Sequence, residues 1–200
     1  MARGTIAPGM STISRDGSAA NSSGLSTGRI IEPPPRRPRP PAKSVILAMI
    51  APSADPAAVP PFDSLRAAML RKDTQLSVDA LALGKWTLQR YDTARVKGRQ
   101  MITLERLQRL EIKRFIETGG TLLIDGENDA KFNDAVERQI VSLFADAKVA
   151  FEPSMPADTL IAGAKSARVA RVEGRIAIII NPDTGQADAL LEGLLTARTK

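Results

Sequence analysis

Apolar residues fall at two spacings along this chain, and their alternation predicts an α/β fold. Residues 43–50, with the almost continuously apolar run SVILAMI, suit a strand covered on both faces. A proline-punctuated loop over 51–61 follows, after which Asp63 or Ser64 caps a helix reaching about residue 73, with Leu65, Ala68, Met69 and Lys72 at helical spacing. Residues 75–79 read as a second strand. Between 80 and 101 the pattern is ambiguous: Trp86, Leu88 and Tyr91 fit a helix or a strand, with room for an edge of the sheet. Arg90, Arg95, Lys97 and Arg99 make this the most basic part of the domain and read as a solvated loop rather than an anion-binding patch.

The clearest signal spans 103–129. Thr103 is placed to cap a helix over 103–118, in which Leu104, Leu107, Ile112 and Phe115 are assigned to one arc and Glu105, Arg106, Arg109, Lys113 and Glu117 to the other. Gly119 then supplies a left-handed helix end, and Gly120 lets the chain turn into the strand 121–125, TLLID. A polar turn leads into a helix over 130–146 whose stripe is Phe132, Val136, Ile140, Leu143 and Phe144. Residues 148–151 read as a short strand and 152–165 as a loop. Residues 168–173 and 175–180 form a hairpin or bent strand pair around Gly174, and Asn181-Pro182-Asp183 stops it. Leu190, Leu191, Leu194 and Leu195 mark a closing helix. Strands alternating with helices require crossover connections, so the expected architecture is a three-layer α/β sandwich around a mainly parallel sheet of about five strands.

Composition changes this picture in two places. Residues 1–43 are rich in Gly, Ser, Pro and Arg and lack an apolar period, which predicts a disordered arm ahead of a domain over 44–200. Arg3, Arg15, Arg29, Arg36, Arg37, Arg39 and Lys43 oppose only Asp16 and Glu32 there, so the arm carries +5 of the total +6. Attraction to anionic partners therefore resides in the arm. Within it, 33–41 reads PPPRRPRPP, a stiff extended stretch. Residues 38–43 match a Pro-x-x-Pro-x-basic ligand pattern, although a spacer is the plainer reading.

The second change comes from residues that are absent. With no Cys and no His, the chain alone supports no disulfide, thiolate nucleophile, Cys/His zinc site, His-dependent triad or imidazole switch. No apolar run reaches the roughly 18 residues of a membrane span, and the first 20 residues lack a secretory hydrophobic core. A cytoplasmic protein is expected, with the Arg- and Ser-rich start also compatible with organelle import.

The helix MITLERLQRLEIKRFIETGG, the strand TLLID, the helix bearing Phe132 and Phe144 and the late segment VEGRIAIIINPD together resemble an uncharacterised bacterial domain family related to ThuA-like proteins and class I glutamine amidotransferases. The resemblance covers most of 44–195 and implies a flavodoxin-like sandwich. In amidotransferases the turn after the Gly-Gly strand carries a nucleophilic Cys. The corresponding turn here holds Asp125 and Gly126, so that dyad transfers to no residue of this chain.

Ligands of open α/β sheets gather at the carboxyl ends of strands, which nominates Asp125, Glu127, Asn128, Asp129, Asn181 and Asp183. Their oxygens suit Mg²⁺ or Ca²⁺, but Ala130 replaces the glycine that a calcium loop needs at its sixth position. The same residues also make ordinary turns and helix starts. Gly119-Gly120 precedes its strand, unlike a phosphate-cradling loop, and the motifs assign no cofactor. The expectation is a non-catalytic binding or structural subunit whose arm, through Arg29, Arg36, Arg37, Arg39 and Lys43, docks on a larger assembly. The alternatives are a metal-dependent or small-ligand protein using 125–129, and nucleic-acid binding through the arm.

Overall fold

The chain builds a seven-stranded mixed sheet with helices on both faces, as seen in a computed structural model that describes residues 43–51, 61–126, 128–145, 149–153 and 166–199. In chain order the elements are β1 (Lys43–Ile50), α1 (Asp63–Arg71), β2 (Thr74–Leu81), a 3₁₀ turn (Leu88–Arg90), β3 (Thr93–Lys97), α2 (Gly98–Ile102) and α3 (Arg106–Glu117). There follow β4 (Thr121–Asp125), α4 (Ala130–Leu143), β5 (Phe151–Pro153), β6 (Arg168–Val172), β7 (Arg175–Asn181), a second 3₁₀ turn (Thr184–Gln186) and α5 (Ala187–Arg198). The strand order is β2-β1-β3-β4-β7-β6-β5. The first five of these run parallel, and β6 and β5 continue the sheet antiparallel.

Alternation of side chains along each strand sends one set to each face, and the two sets meet different helices. Ala48, Ala94, Leu122 and Ile178 face Met101 of α2, Ile112 and Phe115 of α3 and Val136 and Ile140 of α4. Leu47, Met49, Leu123 and Ile179 face Leu65 and Met69 of α1 and Leu190, Leu191, Leu194 and Leu195 of α5. The layered α/β arrangement matches the sequence expectation; the strand count of about five does not.

The strand that the sequence reading lacked is β3. β3 was concealed because TARVK alternates Thr, Arg and Lys with Ala and Val, a pattern normal for a strand with one wet face. It lies between β1 and β4 in the middle of the sheet rather than in a loop or at an edge. On the far side the hairpin and a three-residue edge strand, both read from the sequence, form the antiparallel part of the sheet. That edge strand is Phe151–Pro153, shifted from the predicted 148–151. The β6–β7 turn holds Glu173 at φ 54 and Gly174 at φ 80, the two left-handed residues a tight hairpin turn requires.

Several local expectations move as well. Thr103 does not cap the long helix; it ends α2, and α3 starts after Glu105, whose N–H donates to the Gln108 side chain at 2.9 Å. Phe62 occupies the N-cap position of α1, with no side-chain cap from Asp63 or Ser64. Leu107 is 54% exposed, because it lies about 140° around the helix from Ile112, while Glu111 is fully buried. The Glu111 carboxylate accepts from the N–H groups of Gly84 and Leu88, the latter at 2.9 Å, and so fastens the 82–90 connection onto α3.

The end of α3 behaves as read. The Gly119 N–H donates to Ile116 O at 3.1 Å and the Gly120 N–H to Phe115 O at 2.9 Å, with Gly119 at φ 108, the paired closure of a Schellman end. Gly120 is required by space: a Cβ there would stand 2.2 Å from the Phe115 ring. Lys43, counted with the arm's charges and also read as the first residue of the strand 43–50, belongs to β1; its N–H donates to Asp73 O at 3.3 Å and its Nζ to Thr199 O at 2.5 Å. Residues 1–42 therefore hold +4 of the charge and 43–200 hold +2.

Candidate functional site

The parallel strands end together at one rim, and three of them bring polar side chains into register there. Asp125 closes β4, flanked by Lys97 of β3 and Asn181 of β7. Residues paired across parallel strands point to the same face, so all three lie on the α1/α5 side together with Arg95.

Arg95 organises the cluster. Its Nε and Nη2 both approach Asp125 Oδ2 at 2.8 Å, Nη1 lies 3.5 Å from Asp188 Oδ1 at the start of α5, and the guanidinium stands 5.4 Å from the Phe62 ring centre. Both side chains of the Arg95–Asp125 pair are 11% exposed, so the pair is largely desolvated. Burial raises the Asp125 pKa, and the charge and hydrogen bond of Arg95 act against that rise.

Two buried acceptors are left over. Among the described residues, Asp125 Oδ1 and Asn181 Oδ1 lack hydrogen-bond partners, and their residues are register partners on adjacent strands. The Asn181 amide is held from its other end, Nδ2 donating to Asp183 O, and the Asn181 carbonyl accepts from the Gly126 N–H at 2.8 Å. Gly126 is packed tightly, since a Cβ would lie 2.5 Å from Asn133 Oδ1. These contacts make the start of the 126–129 turn a fixed wall of the site.

The remaining predicted residues separate. Asp129 caps α4, its Oδ1 accepting from the Lys131 N–H at 3.0 Å, and Asn128 is exposed. Asp183 Oδ1 accepts from the Gly185 N–H at 2.9 Å and so forms a turn. Glu127, and Arg29, Arg36, Arg37 and Arg39 of the arm, lie outside the described residues. Among the described residues no group of three or more His, Cys, Asp and Glu is placed to hold a metal ion. Arg95, Asp188 and Phe62 are the members that sequence reasoning missed. The available signal was an Arg at the centre of a five-residue Thr/Ala/Arg/Val/Lys alternation, one strand away from a strand-terminal Asp.

Among the described residues no helix is long and apolar enough to cross a membrane. No protein-family model matches the sequence, and no curated protein matches it either.

Proposed function

We propose that the chain is a non-catalytic binding subunit: an α/β domain that attaches to a larger assembly through a basic, proline-rich arm. The observation that carries this reading is the charge distribution, with +4 of the net +6 in residues 1–42 beside PPPRRPRPP. The domain's own chemistry is consistent with it. Asp125, the carboxylate best placed at the sheet rim, is already engaged by Arg95, and the chain has no Cys or His to act as nucleophile or imidazole base. Kinship with ThuA-like and amidotransferase-like proteins belongs to the same proposal. It is supported by the flavodoxin-like order β2-β1-β3-β4-β7 of the parallel strands and by the α3–Gly-Gly–β4 step. The test compares the full chain with residues 43–200 as bait in native extract. Stoichiometric partner capture by the full chain, lost on truncation at an unchanged melting temperature, is the expected result; equal capture by both rejects the reading, and nuclease-sensitive capture reassigns the arm to nucleic acid.

One observation favours a small-ligand site in addition. The orphaned Asp125 Oδ1 and Asn181 Oδ1 call for a donor, and with the Arg95 cation on Oδ2 a neutral amide or hydroxyl group suits them better than a divalent metal. A thermal-shift panel of Mg²⁺, Ca²⁺, glutamine and small polyols is expected to show stabilisation by a neutral donor, abolished by Asn181→Leu. Stabilisation by Mg²⁺ or Ca²⁺ alone, lost in Asp125→Ala, would support the metal reading instead.

A further inference from the structure

The opposite rim of the sheet carries a feature that the Asp125 cluster does not use. β1 pairs with β2 along its whole length from Lys43, but its pairing with β3 begins only at Leu47 opposite Thr93. Among the described residues, 43–46 thus have a strand neighbour on one side only. The Lys43 N–H points to β2, so alternation along the strand directs the N–H groups of Ser44 and Ile46 and the Ser44 carbonyl to the open side. The preceding residues 88–90 coil into a 3₁₀ turn instead of extending β3, which leaves a notch inside the sheet.

That notch is a cavity of about 490 Å³ lined by β1 residues 43–46, by 90–93 and by Leu195, Arg198 and Thr199 of the C-terminal helix region. Its floor contains Thr93, 1% exposed, whose Oγ1 has no hydrogen-bond partner. Ile46, 48% exposed, contributes an apolar side chain to the lining. Lys43, Arg90 and Arg198 surround the cavity, and none forms an ion pair among the described residues; Asp92 is the single acidic side chain in the lining. Lys43 and Arg198 donate to neutral oxygens, of Thr199 and of Gly119 and Thr121, so their charges are held in place without being neutralised.

We propose that this notch docks an extended acidic peptide segment of a partner protein. The segment pairs with the open edge at Ser44 and Ile46, packs an aliphatic side chain on Ile46, and sets carboxylates against Lys43, Arg90 and Arg198. An open edge of four residues spans about 13 Å, the length of a short strand addition. The chain's own arm is the wrong occupant, because Arg36, Arg37 and Arg39 carry the same sign as the cavity. The proposal rests on β1 and its surroundings alone, so loss of arm-dependent capture leaves it standing.

The test uses the full chain and a peptide carrying fluorescein on its N-terminus, fluorescein-Glu-Val-Glu-Val-Glu-Val-amide, followed by fluorescence anisotropy and by ¹⁵N amide shifts. Saturable binding is expected, with shifts at Ser44, Ile46 and Thr93, weakened about tenfold or more by Arg90→Glu, an exposed position whose substitution leaves the fold intact by circular dichroism. Methylating alternate peptide amides removes the main-chain donors without altering charge, and is expected to abolish binding. Equal binding of the methylated peptide, equal binding of a Lys-Val counterpart, competition by free glutamate or inorganic phosphate at the same concentrations as the peptide, or shifts confined to the Asp125 rim would each overturn the proposal.

Discussion

Phe115→Ala is expected to destabilise the domain by about 3–5 kcal/mol, as seen when large aromatic side chains are removed from well-packed cores. Phe115 is 0% exposed and joins α3 to the same cluster as Leu122, Val136 and Ile178, so its loss empties the junction of one helix layer with the sheet. The packing around it resists collapse. Gly120, whose missing Cβ makes room for the ring, is tied by its N–H to the Phe115 carbonyl, and β4 follows directly. Urea unfolding followed by far-ultraviolet circular dichroism measures the loss as a lower midpoint at similar slope. A loss under 1 kcal/mol would mean that α3 does not pack on β4 as described.

Arg95→Ala is expected to cost about 3–5 kcal/mol at neutral pH, because it leaves the Asp125 carboxylate buried without its cation. The double replacement Arg95→Met with Asp125→Leu should recover most of that loss, since a desolvated pair exchanged for apolar side chains of similar size is close to neutral. The pH dependence follows from the direction of the Asp125 shift. Its folded pKa is already raised by burial, and removing Arg95 takes away the opposing influence and raises it further. A raised carboxylate pKa means that the folded state holds its proton more tightly than the unfolded chain, so stability falls as pH rises from the unfolded value through the folded one. The Arg95→Ala deficit should therefore be largest at pH 7 and shrink towards pH 4. A deficit independent of pH would place Asp125 in contact with water instead.

What could be read from the sequence depended on whether a segment's environment was apolar. β1, β4 and β7 are continuously aliphatic and declared themselves; so did α4, whose Val136 and Ile140 are buried along with Phe144 at its C-cap, and the Gly119-Gly120 end of α3. β3 escaped because Arg95 compensates for its burial with Asp125, a partner 30 positions along the chain that no local window contains. Leu107 misled for the opposite reason: an apolar side chain facing outward looks like core until the helix is placed, while Glu111, polar and buried, is satisfied by backbone groups 23 and 27 positions away. The rim residues divided along similar lines. Asp125 and Asn181 meet because β4 and β7 are sheet neighbours, a fact of topology, whereas Asp129 and Asp183 serve the turns in which local sequence placed them.

Amide hydrogen exchange of the full chain, free and in the complex it captures, addresses the division between arm and domain most directly. Protection is expected to be gained within residues 29–42, with the β4 and β7 rim unchanged. Protection gained only at residues 125–129 and 181–183, with 29–42 exchanging as freely as before, would contradict it.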